Sequence, residues 1–156
     1  MSLIPDWLPN IHPAVVHFPI ALLPAAAVVD LLSLFWRQRS TLRDAATWLY
    51  LAGTGFALLA YFSGRSGVDA MTLSPVVEPL VNAHENLAFW TTWFFAFFAS
   101  LRLAVSYIFP PKPVVLLMAF MMAVGGLVML FETAEHGAAL VYQHGLGVSG
   151  VRGSRP

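Results

Sequence analysis

Four runs of apolar residues, separated by short polar or proline-rich breaks, set the pattern of this chain. A helix rises about 1.5 Å per residue, so about 20 apolar residues cross the roughly 30 Å hydrocarbon core of a bilayer. Pro13–Trp36, Ala45–Phe62, Asn86–Phe109 and Val114–Tyr142 approach or exceed that length and predict four transmembrane helices. The breaks are Arg37-Gln38-Arg39-Ser40, Ser63-Gly64-Arg65-Ser66-Gly67 and Pro110-Pro111-Lys112-Pro113, which carry the residues that stop helices and turn the chain. The one long connection, residues 64–83, holds Pro75, Pro79 and the apolar Val76-Val77 and predicts a structured lid over a site at the interface. Four crossings return both termini to one side. The expected fold class is all-α: a single four-helix integral membrane bundle over residues 1–156.

Composition agrees with a membrane protein, since 58% of residues are hydrophobic and only 10% charged. Eight Lys+Arg balance eight Asp+Glu, leaving no broad basic surface for nucleic acid. The absence of cysteine excludes disulfides, thiolate zinc sites, iron–sulfur clusters and covalently attached c-type haem. The opening MSLIPDWLPN has no basic region before an apolar core, so the first helix is expected to stay as an uncleaved anchor.

Basic residues near helix ends set orientation. Arg37, Arg39, Arg43, Lys112 and nearby Arg102 lie toward the side with the two short connections, against Arg65, Arg152 and Arg155 opposite. The short connections are therefore expected in the cytoplasm and the termini in the periplasm or outside, with the chain in an inner or plasma membrane. Asp6, Asp69, Glu78, Glu85, Glu132 and Glu135 all fall on the outer side.

So do all five histidines. His12 and His17 open the first span, His84 precedes the third, and His136 and His144 close the fourth. Imidazole is a common metal ligand and a usual axial ligand of haem, so a cofactor site at this surface is the leading expectation. His12 and His17 are separated by about 7.5 Å of helical rise and about 140° of rotation, which keeps their rings off one face. Glu85 stands beside His84 and can orient its ring through the second nitrogen. Glu132 and His136 share a helix face at i and i+4, half of a di-iron pattern that has no second copy here. His144, followed by Gly145 and Gly147, can reach back over the bundle mouth.

Asp30 and Arg102 lie at similar depth near the inner ends of the first and third spans and are expected to pair, because an unpaired charge there is costly. Gly53, Gly55, Gly125 and Gly126 permit close helix contact or make room for a flat cofactor. Met118, Met121, Met122 and Met129, with the aromatic run from Trp90 to Phe98, read as packing and lipid-facing surface.

The opening His12-Pro13-x-x-x-His17-Phe18-Pro19-Ile20-Ala21-Leu22, Asp30-Leu31-Leu32, the isolated His84, and the closing Gly137-x-x-Leu140-Val141-Tyr142-x-His144-Gly145-x-Gly147-Val148 resemble a bacterial four-helix membrane family, Domain of Unknown Function 2231. The resemblance spans nearly the whole chain. It implies a membrane domain, sometimes joined to cytochrome-like modules, and carries over His12, His17, His84 and His144 as the family-like histidines. His136 stands where members usually show a small or apolar residue and takes second rank.

Three functions are then expected. The first is a small b-type cytochrome: His12, His17, His84 and His144 supply axial ligands to haem b near the outer face, and Arg65 with the lid amides holds the propionates. It would pass electrons to a redox partner or quinone. The second is a histidine/carboxylate site for Cu, Zn or Fe that adds Glu85 and Glu132 to the same imidazoles. The third is an assembly subunit with structural histidines. An oxidoreductase activity and a homo-oligomer both stay open, whereas no Ser/His/acid or H-E-x-x-H pattern points to a hydrolase.

Overall fold

A computed structural model describes residues 10–36, 40–108 and 112–147. Within them the chain is helical and without strands: α1 His12–Val15, α2 His17–Phe35, α3 Ser40–Asp69, α4 Glu78–Tyr107 and α5 Pro113–Tyr142. α1 and α2 form one span from His12 to Phe35, so four helical rods are long and apolar enough to cross a membrane. Arg37, Arg39, Arg152, Arg155 and Asp6, which bear on the expected orientation, lie outside the described residues.

On both sides of the long connection the helices run past the apolar runs. α3 begins five residues earlier than Ala45 and continues past Phe62 through Ser-Gly-Arg-Ser-Gly to Asp69, while α4 begins at Glu78. The expected loop 64–83 therefore shrinks to residues 70–77, closed by a turn in which the Val77 amide donates to the Ser74 carbonyl at 3.0 Å. Hydropathy marks where the hydrocarbon ends, but a helix can continue through the headgroup layer when its backbone bonds remain satisfied. Pro79 fits at the start of α4, where the first amides have no intrahelical partner. Between α1 and α2 the ladder breaks at Val16, where Pro19 cannot donate to the preceding turn.

The rods pack as a ring, α2 on α3, α3 on α4, α4 on α5 and α5 back on α2, with α1 against α3. Small residues on the inner faces (Ala26, Ala46, Ala99, Ala119, Ala123) let the backbones approach, and Leu23, Tyr50, Phe95, Phe98 and Leu130 fill the space between them. Phe35, Trp48, Phe97, Val128 and Phe131 point outward and are exposed, as an apolar solvent requires. Bulky apolar residues face both ways, which is the signature of helices buried in lipid rather than around a wet surface. Side-chain hydroxyls bridge rods at Thr47–Ser106 (2.9 Å) and Thr91–Thr133 (2.8 Å).

Asp30 and Arg102 do pair: an Arg102 Nη2–H donates to Asp30 Oδ1, with both residues buried. Asp30 Oδ1 also lies 3.5 Å from the Ser33 hydroxyl, whose stronger bond, at 2.7 Å, is to the Asp30 carbonyl. Gly53 and Gly126 sit where a Cβ would strike Leu23 and Phe94, whereas Gly55 and Gly125 face open space. Met118 and Met121 are exposed on the lipid side.

Candidate functional site

The opposite end of the bundle from the ion pair is open, and the rods part there around a cavity of about 150 Å³. Asn10, His12, Tyr61, Arg65, His84 and Glu85 give it polar groups, while Val68, Met71, Val81, Ala88, Leu140 and Leu146 give it an apolar wall.

His12 reaches the cavity because Asn10 fixes the start of α1. The Asn10 side-chain oxygen accepts from the His12 amide at 3.0 Å, and its amide donates to the Ser63 carbonyl at 2.7 Å, an Asn turn that ties the start of α1 to α3. The ring then lies on Gly64, where a Cβ would stand 2.8 Å from its Cε1. Its Nδ1 is 2.7 Å from the Ala60 carbonyl. A carbonyl can only accept, so Nδ1 carries the proton and the neutral ring keeps its lone pair on Nε2. Metal-ligating histidines are commonly held in this way.

His84 comes from α4 on the far side of the same cavity. Its ring lies on Gly137 of α5, where a Cβ would be 2.9 Å from Cε1. The Thr133 carbonyl is near the ring, yet Nδ1 is buried and closes no hydrogen bond of good geometry. The two imidazoles are near enough to feel each other's charge. Two half-buried rings, each seated on a glycine of the neighbouring rod, thus share one cavity.

The other expected site residues are placed differently. His17, about 140° round the helix from His12, is exposed and does not line the cavity. His136 is exposed, with Nδ1 2.9 Å from the Glu132 backbone carbonyl; the Glu132 carboxylate is not its partner there. The chain does turn back at Gly145 (φ 64°), so that the Leu146 amide reaches the Leu140 carbonyl at 3.0 Å. That turn brings Leu146 and Gly147 over the mouth and leaves His144 exposed outside the lining. Arg65 and Glu85 both line the mouth and face each other at 3.6 Å, and Arg65 also donates to the Tyr61 hydroxyl at 3.3 Å. Glu85 is therefore engaged by Arg65 rather than by the imidazole beside it.

Sequence reasoning passed over Asn10 and Ala60, and met Gly64 only as part of a helix break and Gly137 only as the start of the closing motif. Asn10 had a signal, an Asn two residues before a His-Pro helix start. Gly64 and Gly137 had a weaker one, as glycines that interrupt otherwise good helical stretches and so mark close approach. Ala60 acts through its backbone and carries none.

Among the described residues no three His, Asp or Glu side chains converge as metal ligands. What converges is two imidazoles, in an apolar cavity at one end of a four-helix membrane bundle. The family model described as "Predicted membrane protein (DUF2231)" matches residues 8–150, and the chain belongs to that family. No curated protein and no solved structure matches it.

Proposed function

We propose that this chain is a small b-type cytochrome whose haem iron would be held by His12 and His84. The observation that carries the reading is the pair of imidazoles from α1 and α4 facing one cavity, each backed by a glycine. An iron porphyrin supplies four equatorial nitrogens of its own and needs only two axial protein ligands, whereas a Cu, Zn or Fe site built from side chains needs three or more. Bound haem would supply one-electron redox chemistry. The protein's own part is to present Nε2 of His12 through the Ala60 bond, to keep water off the apolar wall, and to offer Arg65 to a propionate. Cofactor pockets usually measure about 300–1,000 Å³, so a macrocycle here would use the open mouth as well as the 150 Å³ cavity.

With the termini outward, the site lies at the periplasmic face of the inner membrane, where a redox protein or a quinone in the adjoining lipid can exchange electrons with it. The test is haem content of the detergent-purified protein by pyridine haemochrome assay. His12→Ala and His84→Ala are expected to lose at least tenfold of the haem, with a circular dichroism spectrum like that of wild type. His17→Ala and His144→Ala should retain it. Stoichiometric Cu, Zn or Fe without porphyrin would replace this reading by a histidine/carboxylate metal site.

A further inference from the structure

α2 and α3 form one antiparallel hairpin, α4 and α5 a second, and the two correspond position by position. α2 ends at Phe35 and α4 at Tyr107, 72 residues later; α3 runs Ser40–Asp69 and α5 Pro113–Tyr142, each end displaced by 73. The offset grows by one because the second hairpin's connection, 108–112, is one residue longer than 36–39. Buried positions follow the same rule. Leu23, Ala26, Ala27 and Asp30 fall on Phe95, Phe98, Ala99 and Arg102, and Ala46, Tyr50 and Gly53 on Ala119, Ala123 and Gly126, all buried.

Contacts repeat as well. His12 has the Ala60 carbonyl and Gly64; His84, 72 on, has the Thr133 carbonyl and Gly137, each 73 on. A Cβ on Gly53 would meet Leu23 at 2.7 Å, and one on Gly126 would meet Phe95 at 2.9 Å. Exchanging the hairpins maps the ring of helix contacts onto itself.

Positions related by a twofold axis touch each other only where the axis passes between them. Among the described residues, Asp30 and Arg102 meet in this way, and His12 and His84 line one cavity. We infer that the bundle is two equivalent half-proteins on a pseudo-twofold axis, with His12 and His84 as the two half-sites of one centre on that axis. Asp30 and Arg102 are the residues that make each half select the other. Two copies of the first hairpin would bury Asp30 against Asp30, and two of the second Arg102 against Arg102; like charges so placed are excluded. Size differs between the halves too: Phe98 occupies the place that Ala26 has in the other half, and it packs edge-on against Tyr50, whose own counterpart is Ala123, so this large contact is made on one side of the axis. The centre would thus take a ligand with two equivalent, opposed coordination positions. The identity of that ligand rests on the haem reading; the equivalence of the halves does not.

The test uses the full chain in detergent, reading the yield of monodisperse protein and its thermal melt. Asp30→Arg and Arg102→Asp are each expected to cut the folded yield at least tenfold, and the double reversal to restore it to within about twofold. Adding Ala26→Phe with Phe98→Ala and Tyr50→Ala with Ala123→Tyr moves the Tyr50–Phe98 contact to the other side of the axis as well, and this variant should fold at least as well as the double reversal. A double reversal as poor as the worse single variant, or single variants that fold like wild type, would overturn the pairing key. A six-position exchange that folds worse than the double reversal would overturn the equivalence. None of these readouts depends on haem, so a colourless wild type leaves this inference intact, and a failed rescue leaves the haem reading intact.

Discussion

The two ends of this bundle are made by the same four rods and put to opposite uses. At one end Asp30 and Arg102 meet in a buried pair, and Tyr50 and Phe98 pack edge-on at 4.9 Å. At the other, polar groups as costly to bury are brought to the edge of an open cavity: two imidazoles, Arg65 and Glu85. The ion-pair end satisfies its charges internally, apart from Asp30 Oδ2 and two Arg102 nitrogens that lack partners. The histidine end keeps ring nitrogens free. A membrane protein gains little from apolar contact that lipid cannot also give, so polar pairing and close packing specify the assembly at one end and leave the other free to bind.

That contrast can be broken most severely at the ion pair. Arg102→Ala leaves a buried carboxylate unpaired and is expected to cost about 3–5 kcal/mol, read as loss of a cooperative melt in detergent. Asp30→Leu together with Arg102→Leu should recover most of it, because removing both charges removes the uncompensated one. Next come the glycine seats. Gly64→Ala and Gly137→Ala improve helix propensity by up to about 1 kcal/mol, but the new Cβ collides with an imidazole at 2.8 or 2.9 Å. Displacing a packed ring costs about 1–3 kcal/mol. The melt should therefore hold or fall, by no more than about 2 kcal/mol, while haem content falls about tenfold. A lowered melt with haem content unchanged would mean that the seats serve folding rather than binding. Arg65→Ala comes third: its pair with Glu85 is exposed, so the melt should not move, while a reduction potential measured on the haem-loaded protein should shift through loss of a propionate partner. The smallest effect is expected at His136, whose ring bonds its own helix; His136→Ala should change neither readout.

The architecture was legible because lipid thickness imposes run length, and the Asp30–Arg102 pair was legible because burial makes a lone charge untenable at that depth. Helix ends were not, since the headgroup region tolerates polar helix and hydropathy marks only the hydrocarbon. Of the histidines, the pattern gave their common end but could not say which rings point inward; that depends on Asn10 fixing α1 and on Gly64 and Gly137 making space. The repeat was hidden for a related reason. The two hairpins share which positions are buried, while the residues there differ, Asp30 where the other has Arg102 and Tyr50 where it has Ala123, so the repeat does not show as residue identity.

The most direct measurement is the absorption spectrum of the detergent-purified full-length chain, oxidised and then reduced with dithionite. Two axial imidazoles on one haem iron predict a sharp Soret band that moves on reduction, with resolved α and β bands and one haem per chain. A spectrum with no Soret band from protein expressed with sufficient haem would contradict the assignment of His12 and His84 as haem ligands.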